Sequence, residues 1–471
     1  MIPERLRWLV ADGSPAVELA ARFRAAGHSL YLVGGSVRDA LLDRPVDDLD
    51  FTTDARPPDI RQIVEGFADS VFGVGEAYGT VGARLGDWIF EITTFRSEVY
   101  RDASRKPEVT FSDRIEDDLV RRDFTINALA LELPDTETID PCGGLADLAA
   151  GVLRTPGTPQ SSFSDDPLRM LRLFRFQATL GFTPDAAALN AVRSMGERID
   201  IVSAERIRDE FSKLLTAHDP GPALTDLVAS GLADHFLPEL SRLAMEQDPV
   251  HKHKDVLAHT IAVTQKASPR LRLRLAALMH DIGKPDTRDF GDDGVTFHHH
   301  EVVGARMARD RLRALRYPNE IVSDVRQLVF LHLRPHTLKM GWTDSAVRRY
   351  VRDAGDLLED LNELVRCDVT TGNERRADAI QRRIDELEER IAELREREAI
   401  ESLRAPIDGN DVIAYLGIRP GPIVGDVMDM LLERRIDDGE YSIDEAYRMT
   451  RTWALENGLE DPGPPPSTEE E

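Results

Sequence analysis

A chain of 471 residues is long enough for two to four domains, each with a core of its own. With 41% hydrophobic and 31% charged residues, and no apolar run near the roughly 18 residues that a membrane crossing takes, the composition excludes a membrane-spanning protein and fits a soluble globular one. Two cysteines far apart, Cys142 and Cys367, exclude a disulfide scaffold or a zinc ribbon, and a net charge of −26 argues against a uniformly basic nucleic-acid binder.

Affinity for phosphates follows local patches rather than total charge. Arginine is clustered here, at Arg121 and Arg122, at Arg169, Arg172 and Arg175, and at Arg206 and Arg208. The opening residues, MIPERLRWLVADG, place Glu4 and Arg5 near the start and offer too short an apolar stretch for a secretory signal, so the cytoplasm is the expected compartment.

Residues 14–27 read as an amphipathic helix leading into a short apolar strand, Tyr31–Val33. Gly34 and Gly35 stop the strand, and Ser36 is expected to cap a helical turn in which Arg38 and Asp39 point away from Ala40, Leu41 and Leu42. A glycine pair between strand and helix lets backbone N–H groups come close to an anion, and the helix N-terminus adds partial positive charge. Asp48-Leu49-Asp50 follows in an alternating segment. Strand residues two apart share a face, so both carboxylates point one way while Leu49 and Phe51 face the core. Paired carboxylates repel unless a cation sits between them, and hard divalent ions with oxygen ligands are the usual answer. Either piece alone is usually a turn or a solvated strand end. Together, with Arg38 between them, they suggest metal-assisted phosphoryl or nucleotidyl transfer.

Pro57-Pro58 opens another helix, with Ile60, Ile63, Val64 and Phe67 at helical spacing. Strand-like runs around residues 79–85 and 88–95 are joined by the turn Gly86-Asp87. Residues 96–112, charged and carrying Pro107, read as a flexible loop, which leads to the run Arg121-Arg122-Asp123-Phe124-Thr125-Ile126-Asn127-Ala128. Asp140-Pro141-Cys142-Gly143-Gly144 is turn chemistry. Up to about residue 155 the pattern is mixed α/β, and beyond it no strand is expected.

Ser164-Asp165-Asp166-Pro167 suits a helix start. Arg169, Arg172 and Arg175 then follow Asp166 at three-residue intervals, drifting around one face, while Leu168, Leu171 and Phe174 form the opposite stripe. The ordinary reading of such arginines is a solvated helix face. From about Asp248 histidines become dense: His259, His280 beside Asp281, His298–His300 and His332, with Asp368 downstream. Ile380, Ile384, Leu387, Ile391 and Leu394 alternate four- and three-residue steps within residues 376–400, a long helix of coiled-coil character. Its short repeat favours a structural arm over a dimer zipper. The tail after Gly458, rich in Pro and Glu, is expected to be disordered.

In this order the motifs resemble those of bacterial class II CCA-adding tRNA nucleotidyltransferases and their poly(A) polymerase relatives, within the polymerase-beta-type nucleotidyltransferases. The resemblance runs from Tyr31 to about Trp453. It implies an α+β fold: a nucleotidyltransferase head with a small mixed sheet over residues 1–155, then an all-α region of nucleotide-recognition and neck helices over 156–245. An HD metal-dependent phosphohydrolase-like domain follows over 246–375, a helical arm and tail over 376–458, and a disordered acidic tail over 459–471. Asp48 and Asp50 would be catalytic and hold two Mg²⁺ ions, one acidifying the tRNA 3′-hydroxyl and the other neutralising the triphosphate. Gly35, Arg38, Arg122 and Asp123 would hold phosphates and ribose.

DDPLRMLRLFRF is similar to the family's nucleotide-recognition motif, usually Glu-Asp-x-x-Arg, with Asp165 in the glutamate position. The resemblance gives the base to Asp166 and Arg169, with Arg172 and Arg175 supporting the nucleotide and its phosphates. A carboxylate accepts from the exocyclic amine of cytosine or adenine while arginine donates to the neighbouring ring nitrogen or carbonyl. Guanine and uracil present an acceptor beside an N–H donor, which would leave both side chains unsatisfied. Phe124, Ile126 and Ala128, and the run Glu205–Glu210, are expected to be structural, and the loop around Arg101–Pro107 to help switch from CTP to ATP.

His280-Asp281, with His259 upstream and Asp368 downstream, resembles the HD phosphohydrolase superfamily. That implies a divalent metal on His259, His280, Asp281 and Asp368, with His300 and His332 as additions for a second ion or a substrate phosphate. Imidazole plus carboxylate suits Mn, Ni, Fe or Mg-type ions alike. The expected function is template-independent addition of CCA to the tRNA 3′ end from CTP and ATP, with a secondary phosphohydrolase activity. No membrane partner is expected, and one copy or two copies per working enzyme are both open. Three rivals stand beside it: a poly(A) polymerase, a CC-only or A-only enzyme, and an HD-type hydrolase whose head merely binds RNA. The acidic C-terminus counts against the first, the long loop before Arg121 mildly against an A-only enzyme, and the intact pair Asp48 and Asp50 against the last.

Overall fold

The computed structural model describes residues 7, 10–11, 13–46, 48–73, 79–99, 108–245, 255–291, 294–337, 343–369, 374–397 and 404–466. It divides into two compact units, Met1–Ala244 with Arg311–Tyr317, and Met245–Asp310 with Pro318–Glu471.

The first unit begins with α1 (Pro15–Ala25), started by Ser14, whose hydroxyl accepts from the Val17 N–H, and by Pro15 in the first turn. Ala16, Leu19, Ala20 and Phe23 recur at helical spacing and are buried. The chain continues through β1 (Leu30–Val33), α2 (Gly35–Leu41), β2 (Asp48–Thr53), α3 (Pro57–Val64), β3 (Ser70–Gly73), β4 (Thr80–Leu85) and β5 (Trp88–Thr94). After β6 (Arg96–Val99), β7 (Glu108–Phe111) and α4 (Ile115–Val120), β8 (Ala130–Leu133), β9 (Thr138–Ile139) and α5 (Gly144–Ala150) complete the head. Seven strands form one sheet in the order β3-β4-β5-β2-β1-β8-β9. The β2–β5 pair is parallel and the other neighbours are antiparallel, so the sheet is mixed. Leu49 and Phe51 are each 1% exposed, as the alternation in β2 requires, and Phe51 meets Phe90 of β5 with ring centroids 5.9 Å apart.

Residues 96–112 are not simply a loop. β6 and β7 pair antiparallel from Arg96 opposite Phe111 to Val99 opposite Glu108. The Phe111 ring is anchored under the Arg56 guanidinium at 4.8 Å, and Arg56 also bonds Asp113 at 3.0 Å, contacts too distant in sequence for local pattern to reveal. The segment Arg101–Pro107 lies outside the described residues.

Strands also occur beyond residue 155, against expectation. β10 (Val152–Leu153) pairs with β11 (Thr183–Pro184), and the second unit holds a hairpin; strands of two to four residues are too short for alternation to register. Between β10 and β11 lie α6 (Pro159–Asp165) and α7 (Leu168–Leu180), followed by α8 (Ala186–Met195), α9 (Ala204–Leu215), α10 (Gly221–Ala229) and α11 (Pro238–Ser241). The helix start expected at Ser164 is instead the end of α6, which Thr158 caps by accepting from the Ser161 N–H. Pro167 explains the break: it offers no N–H and pushes the preceding residue out of helical geometry, and Asp166 takes φ −142° and ψ 102°.

The second unit contains α12 (Val256–Lys266), α13 (Leu271–Met279), β12 (Arg288–Gly291), β13 (Gly294–Phe297), α14 (His300–Ala314) as far as Asp310, α15 (Asn319–Leu331), α16 (Arg334–Thr337), α17 (Asp344–Ala354) and α18 (Leu358–Cys367). It ends with α19 (Glu374–Arg397), α20 (Gly409–Leu416), α21 (Pro422–Asp438) and α22 (Ile443–Glu456). Leu273–Met279 on α13 are all buried, making it the unit's central helix. The stripe Ile384, Leu387, Ile391 and Leu394 of α19 is buried in its own chain, packing on α17 and α18. Part of the tail is held in place: Arg451 ion-pairs with Asp461 at 2.6 Å, and the Tyr415 hydroxyl donates to the Gly463 carbonyl at 2.8 Å. Residues 467–471 lie outside the described residues. Among those described, no helix is long and apolar enough to cross a membrane.

Candidate functional site

The parallel register of β2 and β5 sets Asp50 directly opposite Glu91. Both border a cavity of about 340 Å³ whose wall continues through Arg121, Arg122, Asp123, Asp166, Arg169, Arg172 and Arg206. Asp48 begins β2, two residues before Asp50, and its side chain lies outside the description. The glycine pair borders the acids. A Cβ at Gly35 would stand 3.9 Å from Asp50 Oδ2 and 3.7 Å from Arg38 Nη2. Gly34 takes φ +68°, and a Cβ there would come 2.7 Å from Arg122 Nη1, so both backbone and guanidinium need glycine. Ser36 does not cap α2; Gly34 is the N-cap, and the Ser36 hydroxyl accepts the Asp50 N–H at 3.0 Å, stapling helix to strand beside the carboxylate. Hard carboxylate oxygens brought level on two neighbouring strands and bordering one cavity are a donor set suited to Mg²⁺.

The arginines are ordered by buried acids. Asp118, fully buried on α4, takes Arg121 at 2.7 Å and Arg122 at 3.1 Å; burial raises its pKa, but the two guanidinium groups outweigh it and the net shift is downward. Asp123 accepts from the Phe124 N–H, from Asn127 and from Arg172 at 2.6 Å. Burial again opposes its charge, and Arg172 and Asn127 win, holding the carboxyl well below the usual range. Arg172 also reaches Glu210 of α9 at 3.2 Å, and Arg175 lies 3.1 Å from the other Glu210 oxygen. Burial and the neighbouring Arg172 lower Arg175 to about 10. Arg38, buried, donates to Asn127 at 2.6 Å and to Asp39, with its guanidinium 5.1 Å from the Phe176 ring; it belongs to the packing behind the cavity.

The expected base readers, Asp166 and Arg169, are joined only through the backbone, the Arg169 N–H donating to the Asp166 carbonyl at 3.0 Å, and their side chains take other partners. Arg169 donates to the Arg121 carbonyl at 2.6 Å and to the Ser162 hydroxyl at 2.9 Å. Asp166 accepts the Leu168 N–H at 3.1 Å on Oδ1 and Arg206 at 2.7 Å on Oδ2. Asp165 ends α6 and does not line the cavity. Glu91, Arg121 and Arg206 are among the wall residues that sequence reasoning did not assign to the site. The signal for Glu91 was a lone acid inside WIFEITT, and for Arg206 a position on the first turn of α9, read as structural.

A second constellation lies wholly in the second unit. His259 on α12, His280 at the end of α13 and Asp368 at the end of α18 form one group, and Asp281, His300 and His332 form another. Within each, one ligand atom per residue falls inside 4.8 Å of the others. His259 Nε2 is 2.9 Å from Asp368 Oδ1 and 3.4 Å from His280 Nε2. Asp281 bridges the groups, with Oδ2 3.2 Å from His280 and Oδ1 3.4 Å from His300. Backbone carbonyls fix the tautomers: the Nδ1–H groups of His280, His300 and His332 donate to Ala277, Phe297 and Val329 at 2.7, 2.9 and 2.7 Å. Each Nε2 therefore turns inward, and those of His300 and His332 are buried without a hydrogen-bond partner. Burial works against charge on His280, yet Asp281 and Asp368 push it up to about 10, while burial and His280 press His332 down to about 3. Buried imidazole nitrogens among carboxylates fit divalent transition ions. Lys284 completes the setting with its ammonium 2.7 Å from Asp281 Oδ2.

The fold and the two constellations thus define a head, helical neck and HD architecture. Residues 30–154 match the poly A polymerase head domain, 181–243 the probable RNA and SrmB-binding site of polymerase A, and 256–394 the HD domain. These three domain matches follow one another along the chain in this order. The relatives it resembles carry the name CCA-adding enzyme. That of Streptococcus gordonii is 43% identical over 246 residues, covering 52% of this chain and 60% of the relative, and that of Lactobacillus delbrueckii is 39% identical over 244 residues, covering 52% and 59%. The match thus spans about 60% of the length of these relatives. The structure of the Bacillus stearothermophilus CCA-adding enzyme in complex with CTP shares the fold, with a TM-score of 0.70, 24% identity, and coverage of 97% of this chain and 100% of that one. A Thermotoga maritima CCA-adding enzyme complexed with tRNA gives 0.60 at 17% identity, covering 97% and 99%.

Proposed function

We propose that this chain adds CCA to the 3′ end of tRNA, taking CTP and ATP without a template and releasing pyrophosphate. The observation that carries the reading is one cavity of the first unit that joins metal-suited acids of the head, Asp50 and Glu91, to a carboxylate and arginines from the helices that follow it, Asp166, Arg169 and Arg206, able to read a base edge. The names of the relatives, and the solved neighbours with CTP and with tRNA, support it.

Asp48, Asp50 and Glu91 would hold two Mg²⁺ ions, which when bound activate the 3′-hydroxyl and offset charge on the triphosphate. Gly35 leaves room beside Asp50 for phosphate oxygens, and Arg122, paired with Asp118, presents its fork to them. Asp123 fixes Arg172 at the cavity wall, while Arg38 and Arg175 brace that wall from behind. Asp166 accepts the exocyclic amine of cytosine or adenine, and Arg169 donates to the neighbouring acceptor. Purified protein given tRNA that lacks CCA, with each labelled nucleotide in turn, should add C, C and then A. A-tailing of arbitrary RNA would point to a poly(A) polymerase instead, and arrest after CC, or A addition alone, to a partial enzyme.

A second activity is favoured by the histidine constellation. The HD domain would hold two divalent ions, one on His259, His280 and Asp368 and one on His300 and His332, with Asp281 shared, and would hydrolyse phosphate esters. When bound, such ions supply a nucleophilic hydroxide at neutral pH. Phosphate release that disappears in His280→Ala, while nucleotide addition persists, tests this reading.

A further inference from the structure

The carboxylate that would read the incoming base is held by a residue from another helix. Asp166 sits in the extended link between α6 and α7, where nothing in a helix fixes its side chain. Two bonds do so instead. Oδ1 accepts the Leu168 N–H at 3.1 Å, and Oδ2 accepts Nη2 of Arg206 at 2.7 Å. Arg206 is forty positions away, on the first turn of α9, and its own N–H is tied to Ser203, which caps that helix. Both side chains line the cavity that holds Asp50, Glu91 and Arg169. Arg169 does not supply the clamp: its guanidinium is turned to the Arg121 carbonyl and the Ser162 hydroxyl, with its remaining N–H groups left for the base.

We infer that Arg206 is a positioning residue for base selection: it locks the Asp166 carboxylate in one orientation, so that the remaining oxygen lone pairs present only acceptors to the base edge. The inference rests on the reading of the head as a template-independent nucleotidyltransferase. A carboxylate has about four lone-pair sites, and the two bonds use one on each oxygen, leaving one on each for a base amine. Cytosine and adenine carry that amine. Uracil and guanine carry a carbonyl at the same place, which a fixed, ionised carboxylate repels. Freed from Arg206, the carboxylate could turn away from such a carbonyl, so selectivity falls even though the acid remains.

The test is nucleotide binding and incorporation by the full chain with Mg²⁺, for CTP, ATP, UTP and GTP, in wild type, Arg206→Ala, Arg206→Lys, Asp166→Asn and Arg206→Ala with Asp166→Asn. Arg206 is half exposed, and urea midpoints confirm that each variant is folded. Arg206→Ala should weaken CTP and ATP about tenfold while leaving UTP and GTP no weaker, so that the effect falls on KM and selectivity more than on kcat. Arg206→Lys should recover part of the loss. In the Asp166→Asn background Arg206→Ala should add nothing further. Equal weakening of all four nucleotides, or an undiminished Arg206→Ala effect in that background, would make Arg206 a phosphate or RNA contact and overturn the inference. A wild type selective for CTP and ATP with Arg206→Ala indistinguishable from it overturns the inference alone, whereas a wild type that binds none of the four removes the underlying reading as well.

Discussion

Asp50 and Glu91 stand opposite each other in the parallel register of β2 and β5, and both border the one cavity that also contains the arginines. Their proximity is a consequence of sheet topology: 41 residues separate them, and only the parallel pairing of non-consecutive strands brings them level. Glu91→Gln keeps the size and removes the charge. It is expected to lower nucleotide addition about 10–100-fold, the range seen when a partner of a metal ligand is lost, while Asp50→Ala abolishes it. Raising the Mg²⁺ concentration should restore part of the Glu91→Gln loss and none of the Asp50→Ala loss. An unchanged rate in Glu91→Gln would separate Glu91 from the metal-binding acids.

What the sequence disclosed and what it withheld follow from the range of the interactions. β2 was legible because Leu49 and Phe51 alternate with the acids, and α19 because its stripe repeats within one helix. The Asp166–Arg206 pair spans 40 residues and Arg172–Asp123 spans 49, so no local period announces them. The hairpin of β6 and β7 was read as a loop because its charges and Pro107 mask two four-residue strands, whose anchor, Arg56 on Phe111, lies far upstream. The histidines were legible as a group from their residue types; that three of them share one tautomer, set by carbonyls one turn back, was not.

Acid should unfold the first unit early. The folded-state pKa values of Asp118 and Asp123 are both depressed, so their stabilisation is fully present above the unfolded value near 4 and is lost as pH falls through the folded values. Asp118→Asn removes one of these carboxylates and leaves two arginines facing a neutral amide. A loss of about 3 kcal/mol at pH 7 is expected from urea unfolding, with a smaller difference from wild type at pH 3. A difference that does not shrink with acid would mean that packing, not charge, makes Asp118 important.

Gly283 sits so close to α14 that a Cβ would lie 2.2 Å from the His300 carbonyl oxygen and 2.7 Å from the Gly304 nitrogen. Both contacts are backbone, so no side chain can yield. Gly283→Ala should push the segment carrying Asp281 away from His300 and lower the bound metal of the purified chain from two ions to one or none, by elemental analysis. His332→Ala, which removes a single ligand, should lose one ion and retain the other on His259, His280 and Asp368. Two ions in His332→Ala would refute the assignment of that ligand.

Phe176 of α7 has the guanidinium of Arg175 over its ring at 3.9 Å, with those of Arg38 at 5.1 Å and Arg172 at 5.4 Å, while Phe124 meets it edge-on with centroids 5.6 Å apart. Three like charges around one point repel. The negative face of the ring and the acids Asp39, Asp123 and Glu210 are what offset that repulsion. Phe176→Leu keeps apolar volume but removes the π face, whereas Phe176→Ala also opens a cavity. The first should cost about 1–2 kcal/mol and the second about 3–5 kcal/mol in urea unfolding. Because Arg172 is the one of the three arginines that reaches the cavity, both variants should also raise KM for CTP and ATP, together and to the same extent. Salt separates the two contributions: the Phe176→Leu penalty should shrink as added salt screens the arginine repulsion that the ring offsets, whereas the cavity part of the Phe176→Ala penalty should not change. A Phe176→Leu penalty that is flat with salt would reduce the ring to filler and leave the acids alone to order the arginines.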